Sequence, residues 1–276
     1  MPDQMFPIAR FRSDAGPVRY AWHHGDRLQP IVGVSDDAPF ELGNVRPEGR
    51  PIDVPKRLLP PTPPGEKILC IGLNYRDHAI ETGADIPSEP VVFSKFNSSR
   101  IGHGDPIVLP RVSHEVDYEA EMVLIIGKAG RHIDPANAFE HLAGITAGHD
   151  VSARDWQKGR PGGQWLLGKA FETSAPLGPA WIPLPDANVL SDLPVQMRLN
   201  GDLVQDSTTA QLIFGPDELI AHLSQFFTLR PGDLIFTGTP PGVGMAKDPP
   251  RYLRPSDLCE VRVGDLPPLA NHCVQE

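Results

Sequence analysis

Cysteine is scarce. Three residues, Cys70, Cys259 and Cys273, stand far apart, and no CxxC pair is present. An odd, widely spaced set builds neither a disulfide framework nor a thiolate zinc site. Long apolar runs are missing: none approaches the roughly 18 residues of a membrane-spanning helix, and no apolar signal core stands near Met1. Positive charge is short, with 25 Lys and Arg against 35 Asp and Glu and a formal net charge of −10. That disfavours a nucleic-acid or anionic-membrane surface and leaves room for a local basic pocket. Phosphate-loop spacings are absent as well. The glycine-rich turn in DLIFTGTPPGVG (233–244) matches neither GxxxxGK[ST] nor GxGxxG. These absences predict a cytoplasmic protein in a reducing compartment, with no nucleic-acid and no membrane partner.

What is present suits a globular chain. The 276 residues allow one large domain, or a large and a small one. The 32 prolines and 26 glycines are scattered, which predicts many turns between short strands. Residues 1–65 read as a small N-terminal β unit. PVRYAW and RLQPIVGV flank a Gly25-Asp26 turn, with His23 and His24 expected on the exposed turn. Five prolines in VPKRLLPPTPPGE (54–66) predict a semi-rigid linker, placing a boundary near residue 65 and a second unit over 66–276. Within that unit KILCIG, VVFSK, DPIVLP and LCEVRV read as strands, the last as the final strand. Asn200-Gly201 marks a hairpin, and GPDELIAHLSQFF an amphipathic helix. DPANAFEHLAGI (134–145) is expected to be a short helix, and Ser152 to Asp155 a capping box.

The stretch EVDYEAEMVLIIG carries the sharpest chemical signal. Residues 119–126 alternate and then become continuously apolar, as in a strand with one exposed and one buried end. On a strand, Glu119 and Glu121 share a face, about 6.6 Å apart along the backbone. On a helix they would diverge by about 200°. The pair is either a solvated strand face or half of a cation site, since like charges on one face repel unless a cation lies between them. Asp150 closes a later strand and has no structural role of its own. Lys169, in WLLGKAF, is open to two readings, a snorkelling surface lysine or a site cation. His78 and Glu81 lie one helical turn apart, either as a surface pair or as an imidazole oriented by a carboxylate to act as a base.

Taken together, IGLNYRDHA, PVVFSKFNSSRIGHGDPIVLP, VDYEAEMVLIIG, HDVSARDWQ, WLLGKAFET, LNGDLVQDSTT and PGDLIFTGTPPGVG resemble, in order, the blocks of the fumarylacetoacetate hydrolase family. The resemblance spans residues 67 to about 265. It implies an α+β, β-rich fold, a rolled β-sandwich, in a homodimer. It implies one Mg2+ or Mn2+ held by Glu119, Glu121 and Asp150, an all-oxygen set suited to a hard cation. It implies a water-activating pair in His78 and Glu81, and Lys169 near the substrate carbonyl. Gln157, Lys95 and Thr239 match pocket positions, and Arg160 and Trp165 are candidates for acyl contacts. The implied reaction is hydrolytic C–C cleavage of a 2,4-dioxo acid to pyruvate and an acid. Decarboxylation or isomerisation of a 2-oxo or unsaturated diacid is the rival, and a non-catalytic metabolite-binding relative a second one. Leu73 departs from the pattern: many relatives carry Arg there, able to bind a substrate carboxylate.

Overall fold

A computed structural model describes residues 6–12, 16–184 and 187–276. The fold is β-rich. Twelve strands form one sheet, in which the strand Ala120–Ile126 lies between Leu142–His149 and Leu234–Phe236, antiparallel to both. Ile68–Gly72 follows in parallel, and Val91–Lys95 ends that side of the order. On the other side Ala175–Pro183 pairs with Ile8–Arg12, which leads into the hairpin Val18–His24 and Arg27–Val32. A five-stranded sheet holds the hairpin Pro194–Leu199 and Asp202–Thr208, then Leu258–Val263, Leu269–Gln275 and Ile107–Leu109.

The unbroken apolar run after Glu121 has a simple cause. Met122, Leu124 and Ile126 face a core shared with Val195, Met197 and Val261 of the smaller sheet and with Leu219 and Leu223 of the helix Pro216–Phe226. Val123 and Ile125 face the opposite way, toward Trp181, Phe236 and Cys70. A strand buried on both faces has no polar alternation to show. The acidic end expected to be exposed is also covered: Glu119 is 6% and Glu121 1% exposed.

Other local expectations change. Residues 134–145 do not form one α-helix. A 3-10 turn covers Pro135–His141, with Asp134 accepting from the Ala136 N–H, and the chain then enters the Leu142–His149 strand. Tertiary pairing along that strand overrides the helical spacing. LCEVRV is not the last strand, because Leu269–Gln275 follows it. Asn271 breaks its apolar alternation, yet it points inward, its amide donating to the carbonyls of Gly102 and Asp105. His23 and His24 lie in a strand, not on the turn, and His23 is buried. The proline-rich stretch before residue 65 is packed. Leu58 and Thr62 are buried, and Leu58 N–H donates to His103 O at 2.9 Å.

Candidate metal centre

Antiparallel pairing places the acids. Ala120 faces His149 in register, and Asp150 N–H donates to Glu119 O at 2.9 Å, so Glu119 and Asp150 arrive side by side at the ends of two buried strands. Glu121 follows on the same face. One oxygen from each of Glu119, Glu121 and Asp150 lies within 4.8 Å of the others.

Three buried cations surround the cluster. Lys169 Nζ lies 2.7 Å from Glu119 Oε2 and 2.7 Å from Asp150 Oδ2. Arg154 Nη2 donates to Glu119 Oε1 at 2.5 Å. Lys95 Nζ lies 2.8 Å from Asp150 Oδ1 but out of hydrogen-bond alignment, and it donates instead to the carbonyls of Val151, Lys169 and Ser174. Burial opposes ionisation of Glu119, but Arg154 and then Lys169 outweigh it and hold its carboxyl well below the usual range. Glu121 goes the other way. Burial, then Asp150 and Glu119, push its carboxyl well above the usual range, against Lys169 and the Gly238 N–H. Burial lowers the Lys169 ammonium pKa, but Asp150 and Glu119 raise it further, so the net shift is upward. Lys169 is therefore no snorkelling lysine.

These residues fit a divalent cation. The donor set is all oxygen, which suits a hard ion. Asp150 Oδ1 is buried without a hydrogen-bond donor, and Glu121 ionises against its neighbours unless positive charge arrives.

A cavity of about 330 Å3 opens beside the cluster. Glu119, Glu121, Lys169, Gln157 and Thr239 line it, with His78 on its wall. His78 closes onto Glu81 through Nδ1 at 2.8 Å from Oε2, and Glu81 Oε1 accepts from the Gly242 N–H at 2.7 Å. Burial raises the Glu81 carboxyl, while His78 and that N–H bring it below its ordinary value. In the tautomer that gives its Nδ1–H to Glu81, Nε2 is left as an acceptor. The helix Arg76–Thr82 that carries the pair ends at Gly83, whose φ of 63° supplies the left-handed cap. Leu73, at φ 47°, lines the cavity, as does Trp165 at 5.5 Å from the Phe93 ring. Lys95 stands behind Asp150, away from the cavity. Arg160 stacks over Trp156 instead of lining it.

The expected capping box is absent. The turn Arg154–Gln157 starts without a side-chain cap, Ser152 Oγ donates to Asp150 O, and Asp155 accepts from Ser113 Oγ and His114 N–H. The sequence reading missed Arg154, whose place in SARD reads as helix opening, together with Asp117 and Gln205. Gln205 Oε1 accepts from Ala120 N–H, and its amide donates to Thr239 Oγ1 at 2.9 Å. Nothing in local spacing signals such contacts, because 85 residues separate Gln205 from Ala120.

The chain is similar to known proteins over most of its length. The family model described as fumarylacetoacetate hydrolase, C-terminal, matches residues 67–274. A mitochondrial oxaloacetate tautomerase of Xenopus laevis is 49% identical over 220 residues, 79% of this chain and 68% of the relative. Its human counterpart is 47% identical over 217 residues, 79% and 69% of the two chains. Among solved structures, 2-hydroxyhepta-2,4-diene-1,7-dioate isomerase from Mycobacterium marinum superposes with a TM-score of 0.81 at 31% identity, covering 99% of each chain. Fumarylpyruvate hydrolase from Pseudomonas aeruginosa, in complex with Mn2+ and pyruvate, gives 0.68 at 33% identity, covering 80% of this chain and 92% of that one. The cytoplasmic location expected from the sequence is overturned by the mitochondrial relatives. A missing apolar signal core bears on secretion, whereas mitochondrial import reads basic amphipathic leaders. By the family match and these identities, the chain belongs to the fumarylacetoacetate hydrolase family.

Proposed function

We propose that this chain is a divalent-cation-dependent enzyme that interconverts the keto and enol forms of a 2-oxo diacid, with oxaloacetate as substrate. The observation that carries the reading is the buried three-carboxylate cluster facing the His78–Glu81 pair across one cavity. The naming of relatives at 47–49% identity supports it. Glu119, Glu121 and Asp150 would hold Mg2+ or Mn2+, which when bound would supply Lewis-acid polarisation of the 2-oxo group. In the keto-to-enol direction His78, with Nδ1–H given to Glu81, takes a proton from C3 through Nε2 and delivers it to the enolate oxygen; in the reverse direction it takes the enol O–H proton and places it on C3. Lys169 donates to the 2-oxo oxygen as negative charge develops. Gln157 and Thr239 orient the bound acid. Leu73 offers no charge where relatives have Arg, and Lys158, which lines the cavity, takes the distal carboxylate. Phe93 and Trp165 keep water away. The active form in this reading is a homodimer, which light scattering on the purified chain tests.

Hydrolysis of a 2,4-dioxo acid is the second reading. The same dyad can deprotonate a water, and the Pseudomonas aeruginosa neighbour is a hydrolase.

The deciding assay adds Mg2+ or Mn2+ to cation-stripped protein. One arm follows decay of enol-oxaloacetate absorbance, and the other assays pyruvate from an acylpyruvate. Faster, cation-dependent enol decay without pyruvate supports the tautomerase. Pyruvate with matching free acid moves the assignment to the hydrolase. Carbon dioxide from oxaloacetate makes it a decarboxylase, and silence in every arm removes the catalytic reading. In the supporting case, His78→Ala lowers the cation-dependent rate by roughly 10²–10⁴-fold, the usual range for a lost general base.

A further inference from the structure

Asp117 holds four donors while touching no part of the cavity. Its Oδ1 accepts from the N–H groups of Gly244 at 2.7 Å and Tyr118 at 2.9 Å. Its Oδ2 accepts from Arg154 Nε at 2.9 Å and Met245 N–H at 3.2 Å. The residue is fully buried. Arg154 carries the contact onward, to Glu119 Oε1 and, through Nη1, to Gln157 Oε1 at 2.9 Å. The turn held by Asp117 is also held by Glu81, whose Oε1 accepts from Gly242 N–H while Oε2 holds His78.

One turn, residues 242–245, is thus gripped by two carboxylates. One belongs to the acid–base pair and the other backs the cation cluster. The turn has little freedom of its own. A Cβ on Gly244 would lie 2.6 Å from Asp117 Oδ1 and 2.1 Å from Arg251 O, and Gly242 sits at φ +104°. A buried carboxylate with four aligned donors has one orientation. Glu119, Arg154, Asp117 and the turn that holds Glu81 are thus joined by an unbroken series of hydrogen bonds.

We propose that Asp117 is a positioning residue that ties the orientation of the His78–Glu81 pair to the arrangement of the cation cluster through the 242–245 turn. The roles of the two ends rest on the function proposed above, but the coupling is readable without turnover.

The test measures Mn2+ affinity by electron paramagnetic resonance and the His78 tautomer by ¹H–¹⁵N NMR on cation-free protein. Asp117→Asn keeps the volume but turns one acceptor into a donor facing Arg154. It is expected to weaken Mn2+ binding by about tenfold or more, the usual cost of losing a partner behind a metal ligand. It is also expected to convert His78 from a single Nδ1–H tautomer to a mixture. A second pair of variants leaves the core intact. Glu81→Gln keeps an oxygen for Gly242 N–H and holds Mn2+ affinity near that of the parent, whereas Glu81→Ala removes it and weakens binding several-fold. A folded Asp117→Asn protein with an unchanged His78 tautomer overturns the proposal, as does equal Mn2+ affinity in the two Glu81 variants. If Asp117→Asn does not fold, the Glu81 pair decides. If no oxaloacetate turns over while both physical readouts move, the functional reading fails and the coupling stands.

Discussion

Single residues in this protein carry charge where water is absent, and their predictions concern that charge. Glu121 is pushed toward protonation by burial, Asp150 and Glu119. Glu121→Gln therefore raises the melting temperature of cation-stripped protein and abolishes tight Mn2+ binding. Calorimetry with and without Mn2+ checks both signs. His23 is a separate case, far from the cluster in the chain. Burial first, then His103 and His24, lower its imidazole to about 4 from 6.5. A depressed folded pKa means the fold favours the neutral ring. Its contribution is fully present above pH 6.5 and is lost as pH falls from 6.5 through 4. At about 1.4 kcal/mol per unit, the loss is on the order of 3 kcal/mol. Urea unfolding of the parent and of His23→Gln across that window measures it, and the variant's curve is flatter.

At the scale of elements, the Asn200-Gly201 hairpin is the part most completely written in local sequence. Asn200 sits at φ 55° and Gly201 at φ 90°, as an Asn-Gly hairpin turn demands. No atom lies within 4 Å of a Cβ built on Gly201. Gly201→Ala then costs backbone strain alone, about 1 kcal/mol, read as a lower urea midpoint at unchanged slope. Other elements needed partners to be seen. The Leu269–Gln275 strand hides behind Asn271. The strand that ends before Asp150 was legible, but its start at Leu142 hides behind a helical spacing that its neighbours overrule.

For the whole molecule, the N-terminal 65 residues supply part of one continuous sheet. Ile8, Tyr20 and Ile31 belong to the core that holds Val123, Ile125, Trp181 and Phe236, and Ile8–Arg12 covers the edge of Ala175–Pro183. A chain starting at residue 66 exposes that edge and uncovers one side of that core, so it is expected to aggregate or to melt at a much lower temperature. Soluble expression and calorimetry of residues 66–276 check this. The division near residue 65 remains our proposal for how the chain is organised.

Sequence alone picked out several of the side chains that the structure brings together around one cavity. Glu119 and Glu121 are two apart on a strand, His78 and Glu81 are one helical turn apart, and the ordered blocks from IGLNYRDHA to TPPGVG resemble one family. Those signals are local, or are matched block by block, and so survive without coordinates. Tertiary structure alone decided that the acids are buried, that Lys169 lies between two of them, and that Lys95 stands behind Asp150. It also decided that Arg154, Asp117 and Gln205 hold the centre together. Each of those facts depends on contacts between residues tens of positions apart, and on the removal of water around charge, and neither leaves a period or a spacing in the chain.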